Sequence, residues 1–203
     1  MAKRDFRKLL AQLYAPSHKQ PSLVTVPEMN FVMVDGWGDP ETSQRFQDAT
    51  QALYAVSYSL KFAAKGLGAE HDYVVPPLEG LWWTEGDEGF DMSDREAWMW
   101  TLMIMQPEPI DEEMFIDAAA QLQETKDLPA LPDLRFEPYH EGRAAQIMHI
   151  GPYDAEAETI ARLHQFIADR GHQPRGNHHE IYLGDPHRTA PEKLKTVLRQ
   201  PVE

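Results

Sequence analysis

The sequence predicts an α+β fold built from two βαββ units in tandem. The order strand, helix, strand, strand occurs twice along the 203 residues, on either side of a proline-rich linker at 128–134. The turn before each helix carries a related pattern, GWGD at 36–39 and GPYD at 151–154. The last strand of each unit ends in the dipeptide Gln-Pro, at 106–107 and again at 200–201. These repeated features indicate an internal duplication.

Residues 1–22 form a basic lead-in, and the first unit is assigned to residues 23–127. β-Branched and aromatic side chains dominate 23–35, with a proline interruption, which predicts a strand near a sheet edge. Asp39 followed by a proline is a typical helix start. Apolar residues at helical spacing then predict a helix that continues to about Lys65.

The rest of the first unit is predicted to contain two strands and a helix. The strands are expected at 73–83 and 97–106, separated by an acidic, glycine-containing loop at 84–94. Asp111 is placed to cap the helix, which ends near Thr125 and closes the unit.

The second unit is assigned to residues 135–203 and repeats this order. A strand pair or one long bent strand is predicted over 135–150, and Asp154 is placed to cap the following helix. A strand that contains Glu180 and a final strand at 195–199 complete the unit. Each unit alone has too little core, so the two must pack together. A groove along their pseudo-twofold junction is the natural ligand site.

Composition narrows the possible partners. The formal net charge of −14 argues against nucleic acid, because a phosphate backbone requires a basic protein surface. An acidic protein attracts cationic ligands, although the same charge also serves solubility. The chain has no cysteine, which excludes disulfides, thiolate catalysis and cysteine-based metal sites.

The chain is expected to be a soluble, cytoplasmic protein without a membrane partner. Its first ten residues are basic and lack the apolar core of a signal peptide. The most apolar stretch, at 98–105, is far too short to span a bilayer.

The strand at 178–183 carries the leading candidate for a functional residue. Side chains alternate along a strand, so His178, Glu180 and Tyr182 share one face. A carboxylate beside an aromatic ring on a partly covered face is costly unless a cationic ligand, a hydrogen-bond partner or a bound proton compensates it. The same pattern also fits a salt-bridged or edge-exposed glutamate.

A second glutamate, Glu79, also leads into aromatic residues, and the duplication places it symmetrically to Glu180 about the groove. Two carboxylates next to aromatic rings favour a site for a flat, cationic molecule, which tryptophans bind by stacking and cation–π contacts. Tryptophans also often serve simply as core. The candidate walls are four of the five tryptophans: Trp82, Trp83, Trp98 and Trp100.

Other chemistries find little support. His178 and Glu180, with His149 as a third residue, are too weak a pattern for a transition-metal site, and His178 follows Gly176 and Asn177, as at a solvated strand entry. No serine has convincing histidine and aspartate partners, and no phosphate loop or dinucleotide fingerprint occurs. Neither a metal nor a cofactor is therefore expected.

Several longer motifs resemble those of the GyrI-like small-molecule-binding family. They are VPEM at 26–29, DGWGDP at 35–40, ALY at 52–54 with YSLKF at 58–62, PLEGLWW at 77–83 and HEIYLGDP at 179–186 with residues 188–199. The resemblance covers nearly the whole chain and is to the stand-alone branch, which has no DNA-binding domain. It implies the α+β fold with an antiparallel sheet in each half around a central groove, and helices on one side.

The resemblance also implies a range of activities. The fold serves as the effector domain of multidrug-sensing regulators, where a glutamate in the position resembling Glu180 meets cationic aromatic drugs. Some stand-alone members are hydrolases that open the cyclopropane of DNA-alkylating natural products. For such a reaction, Glu180 is the expected general base, and Tyr182 would orient the water or donate to the developing phenolate. The family name also refers to an inhibitor of DNA gyrase, so the alternative is an acidic interaction protein with gyrase as its partner.

Overall fold

A computed structural model describes residues 3–86 and 94–203 of the chain. In these residues the helices are α1 (Phe6–Leu9), α2 (Ala11–Tyr14), α3 (Gln44–Leu67), α4 (Glu112–Thr125) and α5 (Ala157–Asp169). The strands are β1 (Ser22–Val26), β2 (Met29–Trp37), β3 (Leu78–Trp83), β4 (Met99–Gln106), β5 (Arg135–Tyr139), β6 (Gly142–Ile150), β7 (His178–Tyr182) and β8 (Lys195–Pro201). No helix in the described ranges is long and apolar enough to cross a membrane.

The strands form one eight-stranded antiparallel sheet in the order β1-β6-β8-β7-β3-β4-β2-β5. Exchanging each strand of the first unit with its counterpart in the second (β1 with β5, β2 with β6, β3 with β7, β4 with β8) reverses this order and reproduces it. The duplicated α+β fold is thereby confirmed. The two halves share a continuous sheet, joined at its centre by β3 and β7, instead of having one sheet each.

The first strand of each unit crosses to the other half of the sheet. β1 pairs with β6, and β5 pairs with β2. The segment 23–35, predicted as one interrupted strand, is therefore two strands at opposite ends of the sheet. Pro27 lies between them, where its missing N–H is not needed for pairing. Prolines 76 and 77 similarly delay the start of β3 to Leu78, later than the predicted start at 73.

The sheet has two faces with different coverings. Across its centre, one face presents a row of neighbouring residues: Ile147, Leu198, Glu180, Gly80, Leu102 and Val34. On this face, called the helix face, α3 packs on β2 and β4, and α5 packs on β6 and β8. On the reverse face, Leu13 and Tyr14 of α2 pack against Met148, Ile181 and Val197.

Two predicted helix starts are wrong, and local hydrogen bonds explain the first. The Asp39 side chain accepts from the N–H of Glu41 at 3.0 Å, which makes a turn, and α3 begins later with Ser43 as its cap. Asp154 lies in a 3₁₀ turn before α5, which begins at Ala157. The predicted cap of α4 is confirmed, because Asp111 accepts from the N–H of Met114 at 2.9 Å.

The proline-rich segment between the units packs against the first half. Leu128, Ala130, Leu131 and Leu134 are buried in the same core as α3 and α4. The acidic loop predicted at 84–94 falls mostly at 87–93, outside the described residues.

Candidate ligand and active site

The candidate site lies on the helix face at the centre of the sheet. β3 and β7 run there between the areas covered by α3 and α5. Glu180 of β7 is paired with Gly80 of β3. A Cβ atom at Gly80 would lie 2.7 Å from Nε1 of Trp82, so only glycine lets the Trp82 indole lie across this position.

A short chain of hydrogen bonds positions Glu180. Nε1 of Trp82 donates to the Tyr182 hydroxyl at 3.0 Å, and that hydroxyl donates to Oε2 of Glu180 at 2.8 Å. Burial, and next the charge of Glu180, raise the pKa of Tyr182 well above its ordinary value. Tyr182 therefore stays protonated and holds one oxygen of the carboxylate.

Side chains from α5 and the turn before it lie opposite side chains of the same type on β7. Glu156, Ile160 and His164 are spaced four residues apart, which places them in one row along the helix. We call the arrangement the Tyr–Glu–His ladder; its β7 members are Tyr182, Glu180 and His178, and their partners are Tyr153, Glu156 and His164.

Each step of the ladder places two like side chains near each other. The rings of Tyr153 and Tyr182 meet edge to face, with 5.7 Å between their centroids. Glu156 lies within hydrogen-bond reach of Glu180. Burial, and then the charge of nearby His178, lower the pKa of the last partner, His164.

The glutamate pair is short of positive charge. Glu156 is only 2 % exposed. Burial first, and the negative charge of Glu180 second, raise the pKa of Glu156 to about 9, although the nearby Thr196 hydroxyl acts in the opposite direction. At neutral pH Glu156 therefore keeps its proton beside Glu180. Within the described residues, no lysine or arginine forms an ion pair with either glutamate.

His178 is not at a solvated strand entry, which corrects the sequence expectation. It is buried, with Nε2 3.4 Å from Oε1 of Glu180, because β7 is a central strand and His164 of α5 lies beside its start. Across the part of the chain that the structure describes, no group of three or more histidine, aspartate or glutamate side chains is arranged to hold a metal ion.

Aromatic side chains of α3 lie near the ladder, with Tyr54 close to Tyr153. The Tyr54 hydroxyl lies beside the backbone of Leu78, and burial raises its pKa. Tyr54 and Tyr58 are one helical turn apart, with ring centroids separated by 6.5 Å, and both remain partly exposed. These two rings give the surface beside the ladder an aromatic character.

The four candidate tryptophans separate into different environments. Trp82 contacts the ladder through its hydrogen bond to Tyr182. Trp98 packs edge to face against Trp82, with 5.5 Å between the ring centroids. Trp100 is completely buried in the core beside Gly36 and Phe46. Trp83 packs with the reverse-face residues. Of the four, Trp82 is therefore the one directly connected to Glu180.

Glu79 lies on the opposite face from Glu180, so the expectation that the two flank one groove is wrong. It pairs with Ile181, not with Glu180, and side chains of neighbouring strand residues point in opposite directions. Glu79 accepts hydrogen bonds from the Tyr14 hydroxyl and from Nε2 of His179, each at 3.0 Å.

Glu79 belongs to a closed set of charges that we call the reverse-face network: Tyr14, Glu79, Glu141, His179 and Arg199. Nδ1 of His179 donates to Glu141 at 2.9 Å, and Arg199 donates to the other oxygen of Glu141, also at 2.9 Å. Burial alone would lower the pKa of His179, but Glu141 and Glu79 outweigh it and raise the value to about 9. Burial likewise opposes the shift of Glu141, whose pKa falls to about 2 because His179 and Arg199 are adjacent. Two carboxylates thus balance two cations.

Glu156 and His164 are absent from the site residues proposed from the sequence. The available signal was the spacing of Glu156, Ile160 and His164, which places a carboxyl and an imidazole on one edge of an amphipathic helix. That edge faces Glu180 and His178 only because α5 packs on β6 and β8, and helix placement is a tertiary property.

Comparison with known proteins places this geometry in a family. Residues 19–203 match the GyrI-like small molecule binding domain. A conserved protein from Listeria innocua is 42% identical, with 99% of this chain and 100% of that chain covered and a TM-score of 0.91. A hydrolase from Listeria innocua is 40% identical over 100% of both chains, with a TM-score of 0.88.

More distant similarity concerns the fold alone. The C-terminal domain of EcmrR is 14% identical, with 91% of this chain and 97% of that domain covered and a TM-score of 0.55. No match was found among curated proteins. Because the family match spans nearly the whole chain, this protein belongs to the GyrI-like small-molecule-binding domain family.

Proposed function

We propose that the protein binds planar, hydrophobic and often cationic aromatic molecules on the helix face beside Glu180, and hydrolyses those that carry a strained electrophilic ring. The observation that carries this proposal is the buried glutamate pair of the ladder. In the described residues it has no lysine or arginine partner, and it lies next to the tyrosine rings of Tyr153 and Tyr182. Such an arrangement lowers the stability of the free protein, and a cationic ligand relieves that cost.

The expected affinity for a cation follows from opposing contributions. Attraction between the ligand and Glu180 is strong at low local dielectric, but desolvation of both charges offsets much of it. Stacking on Tyr54, Tyr58 and Tyr153 adds cation–π and dispersion contributions. Dissociation constants on the order of micromolar are the expected result.

The proposed reaction uses Glu180 as a general base. A water molecule forms a bond from its oxygen to a cyclopropane carbon, while the strained carbon–carbon bond breaks. The bonding electrons pass through the conjugated ring to its carbonyl oxygen, which takes a proton and becomes a phenol. Glu180 accepts the proton that the water loses, and Tyr182 keeps the carboxylate oriented. Protonated Glu156 keeps the pair singly charged, so that a base remains available.

The substrate class is a DNA-alkylating natural product with a cyclopropane fused to a dienone, and the biological role is cytoplasmic detoxification. Resemblance to hydrolytic stand-alone family members motivates this choice, and the 40% identity to a hydrolase over the whole chain supports it. A strained ring joined to a dienone is already electrophilic, so the protein needs only to stack the chromophore and activate water.

A spirocyclopropyl-dienone compound tests the proposal by absorbance-monitored hydrolysis. Glu180→Gln is expected to lower kcat by about 10²- to 10⁴-fold, the usual contribution of a general base, while binding of a neutral planar dye persists. Glu158→Gln removes the same charge from an exposed position of α5 and is expected to match wild type.

The outcomes separate the two halves of the proposal. Wild-type protein that binds the compound without accelerating its hydrolysis is a binding protein and not this enzyme. Equal rates for wild type and Glu180→Gln retain the enzyme but exclude Glu180 as its base.

A further inference from the structure

The glutamate pair has a property that neither glutamate has alone. Glu156 and Glu180 approach from different elements, Glu156 at the start of α5 and Glu180 on β7, and both are largely buried. The Glu180 carboxylate receives hydrogen bonding from Tyr182, whereas Oε1 of Glu156 has no hydrogen-bond partner in the described structure. One proton stabilises the pair against the repulsion between two buried carboxylates.

A bound cation competes with this proton. A positive charge within contact distance lowers the pKa of a carboxyl group by about 1 to 3. Starting from about 9, the pKa of Glu156 then moves to the neutral range. Without a bound cation, Glu156 holds its proton at neutral pH. With a bound cation, Glu156 loses the proton over much of the pH range above 7.

We propose that Glu156 and Glu180 form a proton-coupled cation site, in which a bound organic cation displaces the proton that the two carboxyl groups share. The O–H bond of Glu156 breaks, the proton leaves to solvent, and the pair changes from one negative charge to two. This inference rests on the proposed binding function and specifies how its ligand range is set. Neutral planar ligands bind with the proton retained, and cations bind with the proton lost.

Other titratable groups face the pair and must be distinguished from it. On β7 these are His178 and Tyr182, on α5 His164, on β6 His149, and on the turn before α5 Tyr153. The two tyrosines do not titrate near neutrality, because burial raises the pKa of Tyr153 to about 12 and that of Tyr182 well above its ordinary value. The histidines are the alternative proton source.

A calorimetric proton count tests the proposal on the full chain. Binding of 10-methylacridinium at pH 7.5–8 is measured in phosphate, Hepes and Tris, whose different ionisation heats report the protons released per ligand. We expect release of up to about one proton, because linkage converts a lowered pKa into proton loss. The affinity for 10-methylacridinium then rises by up to about tenfold per pH unit. The neutral isostere 9-methylanthracene releases none, and its affinity does not change with pH.

Two variants identify the source of the proton. Glu156→Gln is expected to bind 10-methylacridinium more weakly, with no proton release and no pH dependence between pH 7 and 9. His164→Asn is expected to keep the wild-type proton count.

Three results would be unfavourable, and they are distinguishable. Wild type that binds the cation without releasing a proton overturns the inference and leaves the proposed function intact. Release that persists in Glu156→Gln and vanishes in His164→Asn assigns the proton to the histidines and also overturns it. Wild type that does not bind 10-methylacridinium contradicts the proposed function itself.

Discussion

The two faces of the central strand pair carry one carboxyl cluster each, back to back across a single sheet. On the reverse face, His179 and Arg199 compensate Glu79 and Glu141, and a tyrosine hydroxyl completes the set. On the helix face, Glu156 and Glu180 meet each other without a lysine or arginine partner in the described structure. Both clusters are buried, but the reverse-face carboxylates are hydrogen-bonded to a histidine and an arginine, whereas within the described residues the helix-face pair has only His178 as a basic side chain close to one oxygen of Glu180.

The difference separates a structural role from a functional one. Buried ions that are paired and hydrogen-bonded are stable as a set and lose much when one partner is removed. Carboxyl groups that are buried together without a counter-ion reduce folding stability and are typical of sites that bind or react. On this comparison, the reverse-face network holds α2 and the sheet together, and the Tyr–Glu–His ladder is the site for which we propose ligand binding and hydrolysis.

The largest expected effect is on stability, from removal of Arg199. Arg199→Met leaves Glu141 with one cationic partner and also removes the hydrogen bonds to Gln146 at 3.1 Å and to the carbonyl of Leu13 at 2.7 Å. The free energy of unfolding in urea is expected to fall by about 3–5 kcal/mol. Glu180→Gln, on the other face, is the matched comparison and is expected to retain or gain stability. Comparable losses in the two variants would remove the distinction between the faces.

A smaller effect is expected in the pH dependence of stability. The folded-state pKa of Glu156, about 9, lies above its ordinary value of 4.5. The unfolded chain therefore binds fewer protons between these values, and stability falls as pH rises through the interval. Glu156→Gln removes this contribution, so urea unfolding is expected to show a variant more stable than wild type at pH 8.5 and closer to it at pH 5. Parallel pH profiles would show that Glu156 is ionised in the folded protein.

The reverse-face network also makes stability depend on pH, and this contribution is the same in wild type and in Glu156→Gln. Because the folded pKa of His179 is raised from 6.5 to about 9, its contribution is complete below about 6.5 and is lost as pH rises through 9. Glu141, lowered from 4.5 to about 2, contributes above 4.5 and loses its contribution as pH falls through 2. The two shifts describe one ion pair and are not additive. The difference between wild type and Glu156→Gln therefore isolates the helix face.

Sequence alone was sufficient for the fold and for the face of β7 on which Glu180 lies. The repeated turn and Gln-Pro signals reported the duplication, which the sheet order reproduces. Alternation along 178–182 placed His178, Glu180 and Tyr182 on one face, as observed. The structure agrees with such local periodicities because alternation along a strand determines which side chains face the core.

Cross-strand register and helix placement could not be predicted. The apparent symmetry between Glu79 and Glu180 depended on aligning two short strands, and an error of one residue moves a side chain to the other face. The partner of Glu180 is Glu156, which comes from a helix whose start was misplaced by a few residues. Trp100 looked like a ligand wall because the close packing with Gly36 that buries it is invisible in the sequence.

The smallest expected effect is on ligand affinity, and it tests whether Trp82 acts through the ladder. Trp82→Phe keeps an aromatic ring but removes the N–H that donates to Tyr182 at 3.0 Å. Ligand binding, followed by dye fluorescence, is expected to weaken by about 1 kcal/mol, the usual net value of one hydrogen bond. Trp37→Phe alters an exposed tryptophan and should leave the affinity unchanged. An equal loss in both variants would mean that Trp82 does not act through Tyr182.

The central claim is that Glu156 and Glu180 share a proton at neutral pH, and carbon-13 NMR of glutamate side-chain carboxyl groups tests it most directly. Wild type and Glu156→Gln are titrated in parallel, so that the variant assigns the resonance. The account predicts one carboxyl group that is still protonated at pH 7, titrates near pH 9 and is missing from the variant. Complete ionisation of every glutamate in wild type below pH 6 would contradict it.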